Sequence, residues 1–449
     1  MSPSEFPRVL VVTSNNFNLV AGGGITLTNL FRGWPADRIA NLHEDSTPED
    51  NSVCQNFYRL SEEEIQWAWP FSLFRSWYEG PPSTSDGNRM AGDRPRASFQ
   101  VCEGAKWVQR VRRVLGDGVP RTARISDRLQ RWLDGFQPHI VYGFLGSMAQ
   151  IRLTSELTRT LRIPVAIHIM DDWPAVLYRR GLFGPLLRRV VQREFEALLR
   201  EASLHLAICE EMCEEYQERY GTTFLPFHNA IDMEEWSAYA RRDWKAGTPF
   251  IVRYIGSIVP DGQREALRDV FEAVTRLRGS GASVEMWVHA PKDQVSYLRD
   301  CGFPLDGLRL VEPPLPETVA RLLAEADVLV LPFNFDPRSA RYLRLSMPTK
   351  VPAYMASGTP ILVYGPSEIA AARYAARDGW GFVLSTSGLS GLKKTLLWLM
   401  NDQRARERMG RRARQLAYER HDAAKVRPAF QTALTMAVDP TIVRLPVQG

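Results

Sequence analysis

Residues Leu345–Tyr364 read LSMPTKVPAYMASGTPILVY, and this stretch decides the fold reading. Thr349 is a residue type that caps helices, and Pro352 then falls in the first turn, where a missing N–H breaks no intrahelical bond. The backbone donors of Lys350 and Val351 would face outward at the positive end of the helix dipole. Gly358 follows the last turn, Pro360 stops the helix, and Ile361–Tyr364 resumes an extended run. Upstream, ADVLVLPFNF (Ala326–Phe335) has the unbroken apolar character of a buried strand. The unit is strand, loop, helix, strand, with a helix start beside Lys350 that suits a diphosphate.

The same alternation extends in both directions. A first series runs through RVLVVTS, HIVYGF, IPVAIHIM, HLAIC and TFLPFHNAID, and a second restarts at Pro249 with PFIVRYIGS, SVEMWVHAP, GLRLVEPP, ADVLVLPF, TPILVYG and GWGFVLS. Strand-length apolar runs separated by amphipathic helices predict an α/β chain with two Rossmann-like, doubly wound parallel sheets facing across a cleft. The polar stretch YARRDWKAG separates the series, which predicts domains at 1–240 and 241–425. The tail, 426–449, is expected to return to the first domain. Between residues 61 and 131 the pattern lapses into an insertion: the aromatic run IQWAWPFSLFRSWY, a polar loop at 83–98, and eight Lys and Arg against two Asp over 104–131. A solvated helix face and a contact with an acceptor or membrane surface are both open for that basic segment.

Composition narrows the classes further. A chain of 449 residues with 45% apolar content can fill two cores. A formal charge of +5 leaves no broad nucleic-acid footprint. Cysteines 54, 102, 209, 213 and 301 are odd in number and lack zinc-site spacing, so they are expected to be incidental thiols and not metal ligands. No signal region opens the sequence and no apolar run reaches spanning length, so a cytoplasmic protein is expected.

Two further strand ends carry candidate chemistry. AGGGIT (Ala21–Thr26) follows the first strand, and consecutive glycines allow close backbone approach to a ligand, with a plain flexible turn as the competing reading. It matches neither GxGxxG nor GxxxxGK[ST], which removes the usual support for a dinucleotide or NTPase site. HIMDDWP (His168–Pro174) places Asp171 and Asp172 where a strand meets a loop, positions that suit orienting or deprotonating a hydroxyl. Helix capping, or pairing with Arg179 and Arg180, is the competing reading. His168 reads as a packed core residue.

Together these residues resemble the retaining GT-B glycosyltransferases over nearly the whole chain. The resemblance is carried by the GGG loop, PFHNAID before the second series, YIGSI opening it, ADVLVLPF, and PTK followed by YMASGTP. It implies transfer of a sugar from a nucleoside diphosphate to a hydroxyl in the inter-domain cleft, with retention, with no metal, and with no cofactor beyond the nucleotide-sugar co-substrate. The acceptor would be a glycan, a lipid-linked compound or a small molecule, and peripheral contact with the inner face of a membrane is compatible with it. Asp171, Asp172 and Lys350 are the implied catalytic residues, and Gly23, Gly24, Gly256, Ser257, Arg264, Pro348, Thr349, Lys350 and Glu368 the implied donor-binding set. The chain departs from the family in three places. Gly256 is followed by Ser257 where an arginine is usual, and PDGQRE offers Gln263 and Arg264 in place of a lysine-glycine pair. Leu345 and Ala353 stand at the paired-glutamate positions, and Met170 with Asp171 replaces a histidine-aspartate pair. A catalytically inactive sugar-nucleotide-binding or partner subunit of the same fold therefore stands as the alternative.

Overall fold

The computed structural model describes residues 6–19, 22–69, 71–74, 120–179, 181–259, 262–291, 294 and 307–439. Ala21, Arg180, Cys102, Cys301, the polar loop at 83–98 and the 104–119 part of the basic segment lie outside them. The chain divides into two compact units, one of residues 1–207, 213–225 and 431–449, the other of residues 208–212 and 226–430.

The first unit is built on β1 (Val9–Val12), β2 (Ile39–His43), β3 (Asn56–Arg59), β4 (Ile65–Trp67), β5 (Arg121–Ala123), β6 (Ile140–Leu145), β7 (Val165–Ile169), β8 (Leu204–Ala207) and β9 (Leu225–Pro226). Seven of these form one sheet in the order β3-β2-β1-β6-β7-β8-β9, with parallel pairing from β3 to β8. Every residue of β1 and β7 is buried, as strands covered on both faces require. The strands β2 (IANLH) and β3 (NFYR) carry too many polar residues to stand out as apolar runs. Tertiary covering buries β2 in spite of its composition, whereas β3 is a half-exposed edge strand held by its parallel pairing to β2.

The ends of the 61–131 insertion pair as an antiparallel ribbon, β4 against β5. Beside it the fully buried Glu64 receives hydrogen bonds from Tyr58 (2.8 Å), Ser61 (2.6 Å) and Ser126 (2.5 Å). Burial disfavours the carboxylate, but these donors outweigh it and hold its pKa at about 2. The described arginines of this region are engaged locally: Arg121 pairs with Glu44, Arg124 donates to the Glu63 carbonyl, and Arg128 lies over the Tyr58 ring.

The second unit contains β10 (Phe250–Ile255), β11 (Val284–His289), β12 (Leu308–Val311), β13 (Val328–Pro332), β14 (Ile361–Tyr364) and β15 (Phe382–Leu384). They pair in parallel in the order β12-β11-β10-β13-β14-β15. Helix Arg264–Gly279 buries Leu267, Val270, Phe271, Val274 and Leu277, a 3-and-4 spacing that puts one apolar stripe on the sheet. Helix Leu389–Asn401 adds Leu392, Leu396 and Leu399 to the same core. Both sheets reverse direction of growth beside their first strand, and open α/β sheets bind ligands at the carboxyl ends flanking that point. In the second unit those ends belong to β10 and β13. No described helix is long and apolar enough to cross a membrane.

Candidate functional site

At the carboxyl end of β10 the chain turns through Gly256, whose φ of +145° is a conformation L side chains rarely adopt. A Cβ there would also meet the end of the Lys350 side chain, which would have to move aside. Lys350 Nζ donates to the Tyr254 hydroxyl at 2.9 Å and lies 4.1 Å from the centroid of the Tyr254 ring. The residue as a whole keeps part of its surface in solvent, whereas the ammonium is packed against Tyr254 and Gly256. Burial lowers its pKa to about 7. The Tyr254 hydroxyl in turn donates to the Ser257 carbonyl at 2.6 Å, and Tyr354 accepts from Ile255 N at 2.9 Å. The cation is thereby fixed over a strand end by the buried Tyr254, and the buried Tyr354 holds the backbone of that strand end.

The helix after Lys350 differs from expectation. It spans Val351–Ser357, only seven residues, and Lys350, not Thr349, occupies the capping position, with no side-chain cap. The reason is a tight turn in which Val351 N donates to the Pro348 carbonyl at 3.0 Å, so the Val351 donor is not free. The Thr349 carbonyl accepts from Asn229 Nδ2 at 2.9 Å, which ties the PFHNAID segment to PTK. Gly358 does end the helix in the left-handed conformation.

Around this centre, Ser257 is exposed and Arg264 opens helix Arg264–Gly279, with its Nε 2.8 Å from Glu265. The first N–H groups of that helix are already used: Glu265 N and Ala266 N both donate to the buried Asn334 Oδ1. Glu368 is exposed in the loop between β14 and helix Ala370–Asp378, at the carboxyl edge of the same sheet. The structure thus joins Gly256, Ser257, Pro348, Thr349 and Lys350 directly, and sets Arg264 and Glu368 on neighbouring loops. Tyr254, Tyr354, Asn229 and Asn334 carry the site yet escape a sequence reading. Their signal was present only as tyrosine and asparagine inside motifs valued for other residues.

In the first unit, helix Gly22–Phe31 begins with the three glycines. A Cβ on Gly24 would lie 2.8 Å from the Asn16 carbonyl, and one on Gly23 would lie 2.6 Å from Asn15 Nδ2. The helix start is therefore pressed onto its own Asn15–Asn18 loop, a packing reason for both glycines. Asp172 is 2% exposed and bidentate to Arg219 at 2.8 and 2.9 Å, with the Tyr216 hydroxyl donating to it at 3.1 Å. Both its oxygens accept hydrogen bonds, and among the described residues Arg219 is its arginine partner. That corrects its assignment as an acid or base and leaves Asp171, partly exposed in the same turn, as the candidate carboxylate. His168 is fully buried, with Nδ1 2.5 Å from the Tyr142 hydroxyl.

No protein-family model matches the sequence, and no curated protein matches it either. Solved structures do. HepE from Anabaena, in complex with UDP and glucose, superposes with a TM-score of 0.60 at 11% identity, covering 96% of this chain and 99% of that one. WaaG, a glycosyltransferase involved in lipopolysaccharide biosynthesis, gives 0.55 at 12% identity over 95% and 99%. A putative UDP-N-acetylglucosamine 2-epimerase from Listeria monocytogenes gives 0.52 at 10% identity over 96% of each chain. Identities this low speak for architecture alone, and by that architecture the chain carries the GT-B fold of two Rossmann-like units.

Proposed function

We propose that this protein is a glycosyltransferase that moves a sugar from a UDP-sugar to a hydroxyl acceptor. The observation that carries the reading is the Lys350 ammonium, held by Tyr254 over Gly256 at the switch point of the second sheet. Cleavage of the donor builds negative charge on the leaving diphosphate, and a preorganised cation at that oxygen stabilises the transition state more than the ground state. Gly256 and Ser257 line the same strand end, with Arg264 and Glu368 on adjacent loops. Asp171 orients the acceptor hydroxyl, and the Asp172–Arg219 pair serves the stability of the turn that carries it. Retention, with the leaving phosphate accepting the acceptor's proton and no metal required, is part of the proposal. So are a glycan, lipid-linked or small-molecule acceptor and action at the cytoplasmic face of a membrane.

A second reading is supported by the committed Asp172 and by Leu345 and Ala353 at the paired-glutamate positions: a sugar-nucleotide binder without turnover. Purified protein incubated with UDP-sugars and candidate acceptors, assayed for UDP release, separates the two. Transfer predicts acceptor-dependent release that drops ~30- to 1,000-fold in Lys350→Ala, the 2–4 kcal/mol scale of one preorganised donor. Tight UDP binding without release under any acceptor would decide for the binder, and a change in the donor sugar's configuration would point to epimerisation.

A further inference from the structure

At the other end of helix Val351–Ser357 from Lys350, the second unit holds a cavity of about 430 Å³. Its walls are Arg242 and Trp244 from the segment before β10, and Arg411, Arg414 and Tyr418 from helix Gln403–Leu416 and the turn after it. Two contacts fix this wall to the helix end. Trp244 Nε1 donates to the Gly358 carbonyl at 2.9 Å, and a Cβ on Gly410 would strike that same carbonyl, so the elements meet backbone to backbone.

The cations here are not equally employed. Arg241 is spent on Asp327 (3.1 Å) and on backbone carbonyls, and Arg411 pairs with Glu407 at 2.8 Å while its guanidinium lies 4.9 Å from the Trp244 ring centroid. The carboxylate of Asp243 accepts from Lys245 N. Arg414 donates Nη2 to the Ser237 hydroxyl at 3.1 Å, but its Nε is shielded from solvent and has no hydrogen-bond partner among the described residues. Arg242 is exposed and forms no ion pair or hydrogen bond among them. Two guanidinium groups therefore face the cavity without a counter-charge, beside the rings of Trp244 and Tyr418. Planar forks of this kind match phosphate oxygens two at a time, and the volume is that of a small-molecule site.

We propose that this cavity binds a phosphate-bearing small anion, as a site separate from the one at Lys350. The phosphate is either free in solution or borne by a lipid headgroup. The test titrates inorganic pyrophosphate at low ionic strength, where attraction to partly exposed cations is least screened, into the Lys350→Ala protein, so that the first site is removed. Binding should persist there, weaken roughly tenfold on adding Arg242→Ala, the scale of one lost charge-assisted contact, and vanish with Arg242→Ala and Arg414→Ala together. Because Arg242 is exposed, its replacement keeps the melting temperature, and UDP affinity of the single Arg242→Ala variant should match wild type. Co-sedimentation with phosphatidic acid vesicles, lost in Arg242→Ala, assigns the phosphate to a lipid; pyrophosphate binding without vesicle binding assigns a solute. Neither pyrophosphate nor vesicles binding Lys350→Ala, or equal binding with and without Arg242, overturns the proposal.

Discussion

Lys350 sits where its own charge is disfavoured, and that has a measurable sign. Burial draws its pKa to about 7 from an ordinary 10.5, so in the free protein the ammonium loses its proton as pH rises past neutrality. A diphosphate placed beside it favours the protonated form, and binding above pH 7 must take up a proton. UDP affinity should fall up to about tenfold per pH unit between pH 7.5 and 9, as one linked proton dictates. Calorimetric titrations in two buffers of different ionisation heat should report that uptake, and Lys350→Met should abolish both effects without lowering the melting temperature. A flat affinity profile would mean that the lysine stays charged. At this scale the sequence showed the cation and the glycine it meets, since PTK and YIGS are local patterns. It did not show Tyr254, 96 residues from Lys350, or Asn229, 120 residues from the Thr349 carbonyl it holds. Partnerships across that separation leave no periodicity to read.

Asp172 ties the turn after β7 to helix Glu210–Tyr220 through Tyr216 and Arg219. The carboxylate is nearly sealed, but the Arg219 side chain keeps 26% of its surface in water, so the pair is worth less than a fully buried one. Asp172→Asn should cost about 2 kcal/mol in a denaturant melt and leave UDP affinity unchanged. Asp171→Asn should do the reverse, holding stability while slowing acceptor-dependent turnover ~100-fold. If both substitutions merely destabilised, neither aspartate would touch the acceptor. Element identity was legible wherever apolar runs were continuous, as in VLVV, VAIHI and VLVLP. It failed for IANLH and NFYR, where Asn41, His43 and Asn56 break the run although the strands lie in the sheet. The start of the PTK helix was misplaced by one residue because a Pro348–Val351 turn, invisible to capping rules, closes first.

Across the whole molecule, stability should depend on acidity through histidines kept neutral by burial. His43 and His228 are pulled down to about 4 and His421 well below its ordinary value, with desolvation the leading cause in each. The rings of His228 and His421 lie 4.9 Å apart, so charging one opposes charging the other. The unfolded chain binds protons below pH 6.5 that the folded chain refuses. Stability is therefore complete above that pH and declines as pH falls toward 4, by about 1.4 kcal/mol per pH unit for each histidine. Glu44, Glu49 and Asp269, whose carboxyls burial raises, work in the opposite direction at the acidic end, so the steepest loss is expected between pH 6.5 and 5. Denaturant melts across pH 7.5 to 4.5 should show that slope, and replacing His228 and His421 together by phenylalanine should reduce it while the share of His43 remains. An unchanged slope in that variant would place the acid sensitivity elsewhere.

The meeting of Gly410 with the Gly358 carbonyl and the Trp244 indole bears on how relatives of this chain are to be aligned. Gly410 lies inside helix Gln403–Leu416, where a glycine lowers helix stability and therefore needs a reason. Its cause is steric: no side chain fits between two backbones that close, and Gly358 is held in a left-handed conformation besides. In descendants of this sequence the two columns can change only together with the tryptophan. Covariation among those three positions would record a joint in the scaffold and carry no information about substrate.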